Sequence, residues 1–208
     1  MKLQLALDSN NSQEAKRILE QVSDLVDIVE VGTPLLMKEG VKVVAEIKNA
    51  YSQLEVLADL KIMDAGDIEA SIGFEAGADI VTVLGVAHDV TIRRAVDQAR
   101  ILSKQIMIDL IAVGDVQKRI DQIEAIAPDY CCVHTAFDLQ DHGMDPLREI
   151  QLVRPVLKRA KMAVAGGINP KILPDILAYC PAVVIVGGFI TNHPAPRQAA
   201  LEISELLT

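Results

Sequence analysis

Eight times along its 208 residues the chain follows a short apolar run with a longer amphipathic stretch, and nothing else in the sequence constrains the fold as much. The runs are Leu3–Leu7, Asp27–Val31, Val56–Ala58, Ile80–Leu84, Ile106–Leu110, Tyr130–His134, Met162–Ala165 and Val183–Val186. Short apolar runs of this kind read as strands buried on both faces. Helical patterns fall at Ser12–Leu25, with Ser12 as N-cap, from Gly32-Thr33-Pro34 to Ala50, and at Ala65–Ala76, Asp89–Leu102, Val116–Ile126 and Pro146–Arg159. Asn169 and Pro170 supply a cap and first position for another, and a last helix ends at Leu207. The polar segment Thr135–Asp145 is the longest interruption. Strict β-then-α alternation implies a parallel sheet, and eight such units favour a closed (β/α)8 TIM barrel over an open doubly wound sheet. No linker, charge block or sequence repeat beyond this rhythm divides the chain, so residues 1–208 read as one domain.

Composition narrows the function. Aromatic residues make up 3% and tryptophan is absent, which leaves few stacking platforms for bases, and a net charge of −9 lacks the basic patch of a nucleic-acid or membrane binder. An anionic ligand must be held locally. No run approaches a membrane span and the N-terminus has no signal-peptide layout, so a cytoplasmic protein is expected. Cys131, Cys132 and Cys180 have no metal-binding spacing and are expected to be buried thiols.

Barrel active sites gather at the C-terminal ends of the strands. Those positions here are Asp8, Glu30, Asp59 with Lys61, Thr82, Asp109, His134, Gly166-Gly167 and Gly187-Gly188. Taken singly, each has a structural explanation: Asp8 as a turn residue, Glu30 as a solvated strand end, His134 as a core histidine. Their convergence on one rim favours a site. Asp59 and Lys61, two apart, share a strand face, and Asp64 falls past the strand end. The glycine pairs let backbone N–H groups approach a phosphate at the corner where barrels often bind one, with Asp8 and Thr82 as further substrate-holding candidates. Glu30, Asp59 and Asp109 offer hard oxygen ligands suited to Mg²⁺, and Lys61 can stabilise an oxyanion beside it. Histidine is the side chain that ordinarily titrates near neutrality, which makes His134 the natural acid or base.

The pattern Asp59-x-Lys61-x-x-Asp64 resembles the signature of the orotidine monophosphate decarboxylase suprafamily. The phrases Ala6–Asp8, Val29–Pro34, Glu75–Gly85, Val133-His134, Val164–Gly167 and Ile185–Gly188 are similar to one family within it, the 3-hexulose-6-phosphate synthases, over essentially the whole chain. That resemblance implies a reversible, Mg²⁺-dependent aldol condensation of formaldehyde with D-ribulose 5-phosphate through a 1,2-enediolate. It further implies Glu30 and Asp59 on the metal, Lys61 on the enediolate, His134 moving the C1 proton, and Asp64 entering the partner's site across a homodimer. Asp109 is the other candidate base. The 3-keto-L-gulonate-6-phosphate decarboxylases, the nearest alternative, carry arginines where this chain has Phe137 and Gly188. Phe137 is expected to favour aldol chemistry by lining a dry pocket for the electrophile. A non-catalytic sugar-phosphate-binding barrel, the remaining alternative, would be marked by loss of a catalytic residue, yet Asp59, Lys61, Asp64 and His134 are all present.

Overall fold

The strands β1 (Lys2–Leu7), β2 (Ile28–Val31), β3 (Glu55–Ile62), β4 (Ile80–Leu84), β5 (Gln105–Asp109), β6 (Tyr130–His134), β7 (Lys161–Ala165) and β8 (Val183–Val186) pair in parallel and in chain order. β8 returns to β1 and closes the barrel. The structure is a computed structural model that describes residues 1–9, 11–140 and 142–207. Alternation along each strand divides the apolar residues between two cores. One set, including Leu5, Val29, Val81 and Ile108, packs outward against the helices. The other, including Ala6, Ile28, Leu57, Ile80, Met107 and Tyr130, fills the barrel interior. Asp8, Glu30, Asp59, Thr82, Asp109 and His134 continue the interior rows by the same two-residue step, so the strand ends present them at one mouth.

The helices are α1 (Ser12–Val22), α2 (Thr33–Glu39), α3 (Lys42–Ala50), α4 (Gly66–Glu75), α5 (Asp89–Leu102), α6 (Val116–Ile126), α7 (Phe137–Gln140), α8 (Leu147–Val153), α9 (Leu173–Leu177), α10 (Gly188–Thr191) and α11 (Pro196–Leu206). Several ends differ from the expected ones for local reasons. Asn11, not Ser12, caps α1, its side chain accepting from Glu14 N. The helix expected up to Ala50 breaks at Gly40, whose φ of 70° leaves the helical region. α8 stops at Val153: Arg154 is still helical and bonds back to Ile150, but Pro155 has no N–H to extend the ladder. Asn169 caps a turn, its Oδ1 accepting from Lys171 N, and α9 starts later, at Leu173. Pro194 and Pro196 divide the last helix into α10 and α11. α7 forms inside the segment expected to be irregular, of which Asp141 lies outside the described residues. Cys131 and Cys132 are buried as expected, whereas Cys180 is exposed.

The barrel also carries a two-unit repeat that was not expected from the sequence. Asp27, Asp79 and Asp129 each precede an even-numbered strand, and each accepts the N–H of the preceding odd-numbered strand, from Leu3 (2.8 Å), Val56 (3.0 Å) and Ile106 (2.9 Å). Ala182 stands at the fourth such position and has no carboxylate to offer. Asp79 in addition receives Lys48 (2.7 Å) and Lys104 (2.8 Å). Burial works to raise its pKa, but the two lysines and the Val56 N–H outweigh it and hold the carboxyl below its ordinary value. Asp79→Ala is expected to cost about 1–3 kcal/mol at pH 7. Because the folded-state pKa is depressed, that contribution is complete above the ordinary carboxyl range near pH 4 and is lost as pH falls through the lowered value. Urea unfolding at pH 7 and pH 3 tests this, and a gap between wild type and variant as large at pH 3 as at pH 7 would refute it.

Candidate active site

β3 supplies two of the charged groups through an irregularity. Its register with β4 shifts between Ala58 and Ile62, and Lys61 takes a φ of 48°. A lysine at positive φ is uncommon outside turns, and here it accompanies a bulge that turns the Lys61 ammonium back toward Asp59. Lys61 Nζ donates to Asp59 Oδ2 at 2.6 Å and reaches Asp109 Oδ2 at 3.4 Å. Asp59 is 6% exposed and Asp109 3% exposed, so both carboxylates are buried beside one cation. Burial works to lower the Lys61 pKa, but Asp59 and Asp109 outweigh it and hold the ammonium above its ordinary value.

Asp59 is fixed by two hydroxyls: Thr33 donates to Oδ2 at 2.7 Å and Thr82 to Oδ1 at 2.8 Å. Thr82 also accepts the Lys61 N–H at 2.9 Å. It is 4% exposed, with its hydroxyl donating to Asp59 and accepting from Lys61 N, which makes it a support for both. Thr33 was not singled out from the sequence. Its role depends on the register that sets the start of α2 beside β3.

On the far side of the ammonium, His134 Nδ1 lies 2.9 Å from Asp109 Oδ2 and 3.1 Å from Oδ1, and Oδ1 also accepts the Ile111 N–H at 2.9 Å. Burial works to raise the Asp109 pKa, but His134 and Lys61 overcome it and hold the carboxyl below its ordinary value. An ionised carboxylate only accepts, so Nδ1 carries a proton toward Asp109, and in the neutral imidazole this tautomer has its lone pair on Nε2.

Glu30 receives Gln4 Nε2 on its Oε2 at 2.6 Å. Burial, followed by repulsion from Asp59, pushes the Glu30 carboxyl up to about 8, with Asp8 adding to the rise. Asp8 stands at the exposed rim, where the surrounding walls and then Asp59 raise its pKa as well. Its carboxylate occupies the space that a Cβ at Gly32 would need, 2.1 Å from Oδ1. Among the described residues no group of three or more His, Cys, Asp or Glu side chains is placed to hold a metal. Glu30 and Asp59 are a pair of hard oxygen donors, a set that suits only an ion that keeps most of its coordination for water or substrate, as Mg²⁺ does. The mutual repulsion of Asp8, Glu30 and Asp59 is what such a cation relieves.

Gly166 has a φ of 104°, and a Cβ there would lie 2.4 Å from the Thr135 carbonyl oxygen. Only glycine closes this turn. Gly167 follows at a φ of 67°, and Gly187 and Gly188 lead into α10 at the neighbouring strand end, with Gly187 beside Ala6 and Asp8. Asp64 is exposed and its Oδ1 accepts the Ala65 N–H, with no bond to Lys61 or Asp59 of its own chain. Phe137 is 77% exposed at the start of α7, so it does not form the expected wall of a dry pocket. A cleft of about 760 Å³ lies beside the site carboxylates and not over them, along residues 85–90 and 113–115. There Arg119 binds the carbonyls of Gly85 (2.6 Å) and Ala87 (2.7 Å), so its charge is spent on holding the turn after β4.

A closed parallel barrel whose mouth holds an ammonium between buried carboxylates, with a histidine oriented beside them, defines a TIM-barrel protein with an acid–base type of site. The chain belongs to the orotidine 5'-phosphate decarboxylase / HUMPS family, whose profile matches residues 1–203. It is 45% identical to a 3-hexulose-6-phosphate synthase of Bacillus subtilis over 207 residues, covering 100% of this chain and 99% of the relative. It is 46% identical over 200 residues to one of Staphylococcus aureus, covering 96% and 95% of the two chains. The solved structure of the 3-hexulose-6-phosphate synthase from Salmonella typhimurium superposes with a TM-score of 0.97 at 43% identity, covering 100% of this chain and 98% of that one.

Proposed function

We propose that this chain is a 3-hexulose-6-phosphate synthase, an aldehyde-lyase that reversibly joins formaldehyde to D-ribulose 5-phosphate. The observation that carries this reading is the continuous link Asp59–Lys61–Asp109–His134 at the barrel mouth. It sets a permanent cation and an oriented imidazole on either side of one buried carboxylate. His134 Nε2 takes a proton from C1 of the sugar, and the electron pair left behind spreads over C1, C2 and their oxygens as a 1,2-enediolate. Lys61 is charged before the reaction starts and stabilises that oxyanion as it develops. C1 then attacks the formaldehyde carbon as the C2 carbonyl re-forms, and the formaldehyde oxygen takes the proton that His134 removed, becoming the new hydroxyl. Glu30 and Asp59 would hold Mg²⁺, which would supply Lewis-acid stabilisation of the developing oxyanion. The turns at Gly166-Gly167 and Gly187-Gly188 receive the 5-phosphate end through backbone N–H groups, and Asp8 at the same rim accepts from a sugar hydroxyl. A decarboxylase of 3-keto-L-gulonate 6-phosphate is the weaker reading, because no arginine stands at Phe137 or Gly188.

Consumption of ribulose 5-phosphate on addition of formaldehyde tests the proposal. Turnover is expected with Mg²⁺, loss in excess chelator and recovery with Mg²⁺ or Mn²⁺. Full activity in chelator would refute the metal, and stronger native activity on 3-keto-L-gulonate 6-phosphate would refute the reaction.

The same reading places Asp64 in the site of a second copy. Support comes from α4, whose outward Ile68 (62% exposed) and Ile72 (45% exposed) form an apolar face close to Asp64, with Met63 (49% exposed) just before it. A two-fold dimer covering this face would bury it and bring two copies of Asp64 to two sites. Mixing an Asp64→Ala chain with a Lys61→Ala chain is then expected to restore part of the activity, since one site in each heterodimer is intact. No recovery in demonstrated heterodimers would show that each site is contained in one chain.

A further inference from the structure

Gln4 is fully buried, 0% exposed, in the interior of the barrel. Its register partners on β2 and β8 are Ile28 and Ile185, both hydrocarbon and both part of the apolar barrel interior. An amide at this level is costly to bury unless both ends are bonded. Only one end is. Nε2 donates to Glu30 Oε2 at 2.6 Å, and Oε1 has no partner. Ionised, as it must be to bind a cation, Glu30 can only accept, so this orientation of the amide is the one that serves it as a ligand, and it leaves Oε1 unbonded. The arrangement serves Glu30 at the expense of the core.

We propose that Gln4 is a positioning residue for the divalent cation: it occupies Glu30 Oε2 from below and holds the carboxylate so that Oε1 is the oxygen offered at the mouth. This rests on Glu30 as a metal ligand in the proposed function. Partners that orient metal ligands in this way typically change metal affinity about 10–100-fold when removed.

The experiment measures Mn²⁺ binding to the full-length protein by electron paramagnetic resonance, with thermal unfolding in chelator measured in parallel. Gln4→Met fills the same volume with hydrocarbon. It is expected to raise the Kd for Mn²⁺ about 10–100-fold while leaving the melting temperature at or above that of wild type, because the unbonded amide is gone. A merely structural glutamine would instead lower the melting temperature and leave Mn²⁺ affinity alone. Gln4→Asn, which withdraws the donor by one methylene, gives the same reading if the methionine variant does not fold. Unchanged Mn²⁺ affinity in either folded variant would overturn the role of Gln4. Wild-type Mn²⁺ binding that is undiminished in Glu30→Gln would overturn the metal assignment and this inference with it.

Discussion

Lys61→Met is expected to reduce turnover roughly 10²–10³-fold or more, the loss typical of removing a preorganised oxyanion stabiliser. In the proposed arrangement the phosphate is held by the glycine turns and not by Lys61, so KM for ribulose 5-phosphate is expected to change much less. Asp59 and Asp109 together outweigh burial and keep the Lys61 pKa above its ordinary value, so the amine carries no free lone pair at the pH of the reaction. Lys61 is therefore an electrostatic group and not a Schiff-base nucleophile. Borohydride treatment in the presence of ribulose 5-phosphate is expected to trap no adduct. A covalent adduct on Lys61 would reverse its role. Methionine keeps the length of the side chain but leaves two buried carboxylates without their shared cation, and stability falls by up to about 3 kcal/mol. Kinetics are therefore to be compared at a temperature where circular dichroism shows the variant folded.

The barrel was legible because its rhythm survives in the order of residues alone: eight apolar runs, each with a polar residue or a glycine pair at or near its C-terminal end. The mouth was legible for the same reason, since a charge ending a buried strand is conspicuous at Asp59, Asp109 and His134. What escaped was everything that depends on register between strands distant in sequence. Thr33, Thr82 and Gln4 become supports of Asp59 and Glu30 only once β1, β2, β3 and β4 lie side by side. The strands are apolar on both faces, so no alternation in the sequence marks Gln4 as interior. A lone glutamine inside Leu3-Gln4-Leu5 was the available signal, and it passed as a strand residue. The turn of Lys61 into positive φ is equally invisible, because it arises from the shift between Ala58 and Ile62. Phe137 shows the opposite failure. The arginine missing there is a fact of sequence, but where the ring points is decided by α7, which turns it outward.

His134→Gln is expected to slow solvent exchange of the C1 proton of ribulose 5-phosphate about 10²-fold or more. Exchange requires only proton removal and return, so it is measured by NMR in D₂O without formaldehyde, which separates loss of the base from loss of the electrophile. Two groups compete for the role. Asp109 is 3% exposed and both its oxygens are occupied by His134, Ile111 N and Lys61, the last at 3.4 Å. Its pKa is also held below the ordinary carboxyl value, which makes it a weak base as well as an inaccessible one. Its geometry suits another task, that of fixing the His134 proton on Nδ1. Asp109→Asn removes the charge that enforces this tautomer and is expected to slow exchange as well, by weakening a base that is still present. The two substitutions are therefore expected to be far from additive, the double variant being little slower than His134→Gln alone. If exchange persists in His134→Gln and disappears only in Asp109→Asn, Asp109 is the base and the imidazole is its partner.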